Sequence, residues 1–147
     1  MGEGKTFGIL LKKTILSNDD AALEFFTEKH GRITVFAKKF ARSKKQSEVD
    51  YFRLLELVFF QGRNSKTLRS VSSHTVFHGF LESYQSTEEG FKWLQLLHKN
   101  FQTEEVVPDF FQFCCHIFRK FNQGESQIFY VYFIVQIYAL HGWFPRF

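Results

Sequence analysis

The feature that most constrains this chain is a change of hydrophobic period near residue 80. Before it, apolar residues come in short alternating runs broken by turn residues, the pattern of half-buried strands. After it, they recur every three to four residues, the pattern of amphipathic helices. A chain of 147 residues written this way is an α+β protein, with a β-rich first half and a helical second half.

The strands can be placed one by one. Phe7 to Leu16 reads as a long strand, bent in its middle. Asn18-Asp19-Asp20 is a turn signal. Leu23 to Thr27 and Arg32 to Ala37 flank Glu28-Lys29-His30-Gly31, in which Gly31 is placed for a positive φ, so the two runs form a hairpin. Residues 38–48 are polar and basic and read as a mobile loop. Phe52 to Gln61 and Lys66 to Phe77 complete a set of five strands, separated by the Gly62-Arg63-Asn64-Ser65 turn. Closing a five-stranded sheet on itself removes its edges, and the OB fold is the common nucleic-acid-binding way to do so. The expected architecture is an OB-like five-stranded β-barrel over residues 1–80, followed by a small α-helical domain over 81–147.

In the second half, Ser86-Thr87-Glu88-Glu89 has the spacing of a capping box. Phe91, Leu94, Leu97, His98 and Phe101 follow on one face. Pro108-Asp109 opens a second helix, with Phe110, Phe111, Cys114, Ile117, Phe118 and Phe121 on its inner face. Ser126 is expected to cap a third, Gln127 to Leu140, whose apolar residues lie all round and so predict the middle of a packed cluster. His141-Gly142 should end it, with Pro145 beyond.

Charge separates the halves further. Residues 1–80 carry fourteen basic and eight acidic side chains, a balance of +6, whereas the remainder is −2. Such asymmetry points the first half at a polyanion. Lys38, Lys39, Arg42, Lys44 and Lys45 fall within eight residues, with Phe36 and Phe40 interleaved. Lys12, Lys13, Arg32, Arg53 and Arg69 lie on neighbouring strands. A positive groove beside aromatic faces is how single-stranded nucleic acid is held. The candidate DNA-binding residues are therefore Lys12, Lys13, Arg32, Lys38, Lys39, Phe40, Arg42, Lys44, Lys45, Arg53 and Arg69. Phe36, at an alternating strand position, is assigned to the core.

Other classes find little support. His74 and His78 lie on a predicted strand, about 13 Å apart, too far to share a metal ion. Cys114 and Cys115 are adjacent, a poor geometry for a mutual disulfide, and are expected to pack rather than react. No metal site, cofactor or catalytic constellation is expected, so the chain reads as a non-enzyme. The N-terminus lacks an apolar run behind a charged start, and the stretch Ile128–Leu140 is too short to span a bilayer, so a cytoplasmic location without membrane contact is expected.

Several segments resemble RecO recombination mediators. Leu23-Glu24-Phe25-Phe26-Thr27-Glu28-Lys29-His30-Gly31-Arg32 and Val35-Phe36-Ala37-Lys38-Lys39-Phe40-Ala41-Arg42 are similar to that family's opening hairpin and basic run. Leu54 to Arg63 resembles its next strand and Gly turn. Leu140-His141-Gly142-Trp143-Phe144-Pro145 is similar to the Gly-x-x-Pro that closes one of its helices. The resemblance implies an N-terminal OB domain, binding of single- and double-stranded DNA, and strand annealing. It implies partnership with RecR, the tail of single-strand-binding protein (SSB) and RecA, and association with the nucleoid. It also implies departures. Relatives continue past the Gly-x-x-Pro into a Cys-x-x-Cys zinc element, whereas this sequence ends at Phe147, which leaves a short member or a shortened chain as readings. A family Gly is replaced at Lys39 or Phe40.

The alternative from another class is a protein–protein adaptor that binds RecR or the SSB tail with little DNA contact. Lys92, Trp93, Arg119 and Lys120, with Lys99 and Phe121 nearby, would form its basic, apolar docking patch. A hydrolase comes a distant third.

Overall fold

The structure is a computed structural model, and it describes residues 2–142. The Pro145 end of the closing motif lies outside the described residues. Strands β1 (Gly2–Ile15), β2 (Ala21–Thr27), β3 (Gly31–Ala37), β4 (Arg53–Gln61) and β5 (Lys66–Val76) form a closed barrel in the order β1-β2-β3-β5-β4. All neighbours are antiparallel except β3 and β5, which run parallel and meet at Phe36 and Thr67. This is the OB-like barrel that the alternating pattern predicts.

The hairpin turn forms as expected. Gly31 has φ +70°, and Thr27 clamps the turn: its hydroxyl donates to the Gly31 carbonyl and accepts from the His30 amide. Three register irregularities shape the barrel. One follows Leu10 in β1, and the other two leave Arg69 and His74 of β5 without a partner residue in β4. A bulge of this kind bends the strand and re-aims the extra side chain.

The barrel has two apolar sides. Leu10, Leu23, Phe25, Ile33, Val35, Leu55, Leu57, Phe59 and Leu68 fill its interior. Ile9, Leu11, Phe26, Phe52, Leu54 and Phe77 face outward, into a second cluster shared with the helices. Helices α2 (Tyr84–Asn100), α3 (Pro108–Lys120) and α4 (Ser126–Leu140) cover that side. Phe80 sits at the junction, stacked on Phe121 at 4.2 Å and on Phe52 at 5.1 Å, with edge contacts to Trp93 and Phe118. Gly90 lets α2 approach closely: a Cβ there would lie 2.5 Å from the Phe52 ring.

Several expectations about the helical half need correction. Ser83, not Ser86, caps α2, its hydroxyl accepting from the Ser86 amide. Ser86 is inside the helix, buried, and donates to Gln123 Oε1. The buried face of α2 is accordingly Ser86, Gly90, Trp93, Leu94 and Leu97, and Phe91 is exposed. The predicted inner face of α3 is buried throughout. Helix α4 is not central. Only Phe133 and Ile137 are buried, while Ile128, Val131, Tyr132 and Val135 face outward. Ser126 is its first residue and no side chain caps it. Gly142, at φ +69°, ends the helix as expected, its amide reaching the Ala139 carbonyl.

The loop after β3 also differs from expectation. It is not a free basic segment but a 3-10 turn at Phe40–Arg42 followed by a short helix α1 (Lys45–Glu48). Its packing follows from one side chain: Phe40 is fully buried and plugs the end of the barrel.

Candidate nucleic-acid interface

One side of the barrel carries a continuous outward-facing row. Strand pairing sets Thr14 of β1 beside Ala22 of β2, Ala22 beside Phe36 of β3, Phe36 beside Thr67 of β5, and Thr67 beside Phe60 of β4. Directly paired residues point to the same face. The flanking residues Val35, Leu68 and Phe59 point into the barrel. Two rings therefore stand on the outside, Phe36 at 41% exposure and Phe60 at 36%, with the small Thr67 between them. Two strand spacings separate them, about 10 Å.

A cation stands over one of the rings. The bulge at Arg69 turns its guanidinium over the Phe60 ring, 5.2 Å from the centroid. Lys38 follows Phe36 by two residues, in the turn just past the end of β3. Lys38, Lys39 and Lys44 are exposed, as is Arg63 in the β4–β5 turn. The barrel end beside them is ordered by the neighbouring turn. The Lys39 amide, at φ +52°, donates to Asp20 Oδ1, and Arg42 pairs with Asp19 at 2.6 Å. Asn18 and Asp19 adopt positive φ there, a conformation that Asn and Asp tolerate better than most residues.

The structure brings together only part of the residue set expected from the sequence. Arg69 stands at the Phe60 end of the row, Lys39 and Arg42 lie against the β1–β2 turn near its Thr14 end, and Lys38 and Lys44 are exposed in the loop after β3. Lys45 is half-buried at the start of α1. Phe36 and Phe40 exchange their expected roles: Phe40 presents no face to a ligand, and Phe36, assigned to the core, does.

Arg32 and Arg53 have partners within the fold. Arg32 pairs with Glu24 at 3.1 Å, donates to the Phe101 carbonyl and reaches Thr103 Oγ1, so it ties β3 to the segment after α2. Arg53 donates to the Ser47 and Glu48 carbonyls and to Ser73 Oγ, which fastens α1 against β5. Each guanidinium nitrogen of Arg32 is thereby engaged, whereas Arg53 makes its contacts through Nη1.

Lys12 and Lys13 precede the Thr14 end of the row on β1 and have contacts of their own. Lys13 sits over the Tyr51 ring at 5.8 Å, and Lys12 lines a cleft of about 570 Å³ between β1 and α2, together with Leu11, Phe91, Lys92, Leu94 and His98. The other docking patch is corrected too. Trp93 is fully buried, stacked on Phe133 at 5.0 Å, and cannot meet a partner. Arg119 and Lys120 are exposed at the end of α3, apart from Lys92 on α2.

Burial and neighbouring charges shift four titratable groups elsewhere among the described residues. Burial pushes the Cys115 thiol up to about 12 and Cys114 well above its ordinary value. Partial burial, then the nearby charges of Lys66 and Lys29, lower His30. A hydrogen bond from Lys66, then its charge, holds Glu104 below the ordinary carboxylate range. Among the described residues, no group of three or more His, Cys, Asp or Glu could hold a metal ion, and no helix is long and apolar enough to cross a membrane.

The reading of the basic run alone missed Phe60, Thr67 and Arg63. Phe60 had a legible signal: in Leu57-Val58-Phe59-Phe60, alternation allows only one of the two rings into the barrel. A family model described as "Recombination protein O N terminal" matches residues 1–80. No curated protein matches the chain.

Proposed function

The chain belongs to the recombination protein O family, whose members are mediators of recombination and repair, and from that premise we propose that its barrel binds single-stranded DNA across the Phe60–Thr67–Phe36 row. The observation that carries this reading is the pair of outward-facing rings, flanked by Arg69, Lys38 and Lys39. Exposed rings cost solvation in an isolated barrel, and unstacked bases are the ligands that would cover them. Base–aromatic stacking is sequence-tolerant and worth about 1–3 kcal/mol per base. Phosphate contacts from the adjacent cations add affinity without reading sequence. Duplex DNA would engage the cations but has no free base faces to offer, so it binds this row less well. Annealing of complementary strands and loading of RecA at the nucleoid follow as the consequence we assign to such binding. No chemical step on the DNA is part of the reading.

The test is fluorescence anisotropy with a labelled oligo-dT. Phe36→Ala and Phe60→Ala should each weaken binding by about fivefold or more and leave the salt dependence unchanged, since neither removes a charge. Wild-type affinity in the double variant would refute the placement.

A second reading, docking of an acidic, apolar segment such as the SSB tail or part of RecR, is favoured by the cleft between β1 and α2. Leu11, Phe91 and Leu94 give it an apolar floor, and Lys12 and Lys92 a basic rim. Binding of a labelled acidic tail peptide that Lys92→Glu abolishes would establish that role.

A further inference from the structure

Helix α4 carries two apolar faces. One is covered: Phe133 and Ile137 are buried, and Trp93 stacks on Phe133. The other is open. Ile128, Val131, Tyr132 and Val135 are 69%, 59%, 50% and 39% exposed. Ala139, also exposed, continues the line. Residues at these spacings share one stripe of a helix, and a stripe of this kind is the seam along which helices pair. No acidic or basic side chain interrupts it, because α4 has none.

Charge lies beside the stripe, on α3, and it is ordered. The two helices run antiparallel. Phe121 meets Phe129 at one end, and at the other Asp109, Phe110 and Phe113 share a groove with Gln136, Ala139 and Leu140. Phe113 meets the Tyr132 ring edge-on, 5.4 Å between centroids, so the positions of α3 in line with Phe113 border the stripe. Those positions are Asp109, His116 and Lys120, all exposed. The border is therefore acidic where α4 finishes and basic where α4 starts. Phe133 touches both Phe110, at 5.8 Å, and Phe118, at 6.0 Å, so the middle of the stripe is level with the middle of α3. Asp109 and Lys120 stand roughly 16 Å apart along α3, at nearly equal distances from that level.

We infer that a second copy of this chain covers the stripe, through a two-fold contact in which the α4 helices lie antiparallel. An axis across the helices at the level of Phe133 sets Val131, Tyr132 and Val135 against the same residues of the other copy. It also lays α3 opposite α3 and brings Asp109 of each copy opposite Lys120 of the other. With the axis along the helices instead, the two α3 helices fall on opposite sides and neither charge meets its opposite. A two-fold contact has to be self-complementary. An uncharged stripe, bordered by opposite charges at equal distances from its centre, meets that condition. Covering the stripe and its Phe113 border in both copies removes roughly 1,000 Å² from water, the lower end for a specific interface. The pair therefore forms and parts reversibly, with Kd on the order of 10 μM. The contact is independent of the DNA reading above.

The test is sedimentation equilibrium of the full chain, free of nucleic acid, from about 1 to about 200 μM. The mass of the wild type should rise from 17.5 kDa toward twice that value. Val131→Glu, at an exposed position, should keep the wild-type thermal melt and remain at 17.5 kDa throughout. Asp109→Lys and Lys120→Asp each set like charges against one another at both ends of the contact, so each alone should associate about tenfold more weakly or worse. Mixed in equal amounts, the two variants set opposite charges at both ends and should recover the association of the wild type. A wild type that stays at 17.5 kDa across the range would overturn the second copy as occupant. A Val131→Glu chain that still pairs would overturn the stripe as the contact. A mixture that associates no better than its separate components would overturn the antiparallel two-fold.

Discussion

Phe80 offers the sharpest test of how barrel and helices cohere. Its ring is fully buried between Phe52, from the barrel side, and Phe121, from the end of α3, with Trp93 and Phe118 at its edges. Truncating a buried Phe to Ala costs about 3–5 kcal/mol in lost transfer energy and residual cavity. The two stacked neighbours each contribute roughly 0.5–1.5 kcal/mol beyond area, so Phe80→Ala belongs at the upper end of that range. A domain of this size has about 5–15 kcal/mol in total. With a urea slope of about 2 kcal/mol per molar, the midpoint should fall by about 2 M. The decisive measurement is hydrogen exchange, resolved by segment. If the outer barrel cluster and the helices share one core, amides of β1 and β4 should lose protection together with those of α2 and α3. A loss below about 1.5 kcal/mol, or helices that open while strand protection stays at the wild-type level, would refute the shared core.

Other perturbations follow from the site and its supports. Replacing Lys38, Lys39 and Lys44 by Gln should lower the slope of log affinity against log salt by about 2, at about 0.7 per lost phosphate contact on a single strand. The penalty of the variant should then shrink by roughly 18-fold between 50 and 200 mM salt, and a slope equal to that of the wild type would remove the lysines from the interface. Gly90→Val should destabilise by about 3 kcal/mol or more, because its Cβ meets Phe52 at 2.5 Å; thermal unfolding within two degrees of wild type would show that α2 can retreat at little cost. The buried thiols have raised native values, so the stability they confer is complete below their unfolded value near 9 and is lost as pH rises toward 12. Urea midpoints at pH 8 and pH 10.5 should accordingly differ more in wild type than in Cys114→Ala/Cys115→Ala, and equal differences would refute the assignment.

The residues show why some of this was legible and some was not. The β2–β3 hairpin was readable because His30-Gly31 supplies a positive φ between two alternating runs, all of it local chemistry. The inner face of α3 was readable because six apolar residues share one spacing. Phe36 was misassigned although alternation spoke clearly: it shares parity with Arg32 and Thr34, while Ile33, Val35 and Ala37 take the interior. The hydrophobicity of Phe36 points inward and its period outward, and in the fold the period prevails. The contacts of Arg32 could not be read, since Phe101 and Thr103 lie in a distant segment that only the fold brings near. Helix α4 defeated prediction for a different reason. Apolar residues all round give no direction, and only packing decides which side is covered.

That outer side of α4 makes the molecule two-faced toward ionic strength. Over its fifteen residues the helix carries no charged side chain, and Ile128, Val131, Tyr132 and Val135 lie open along it. A polyanion held on the row, as proposed above, would be released as salt rises, whereas an apolar surface grows more adhesive, above all in sulfate or phosphate. Concentrated salt should therefore favour association through α4. A chaotropic or detergent-containing wash frees both faces, and the order in which the two are applied to a column decides whether the chain elutes singly.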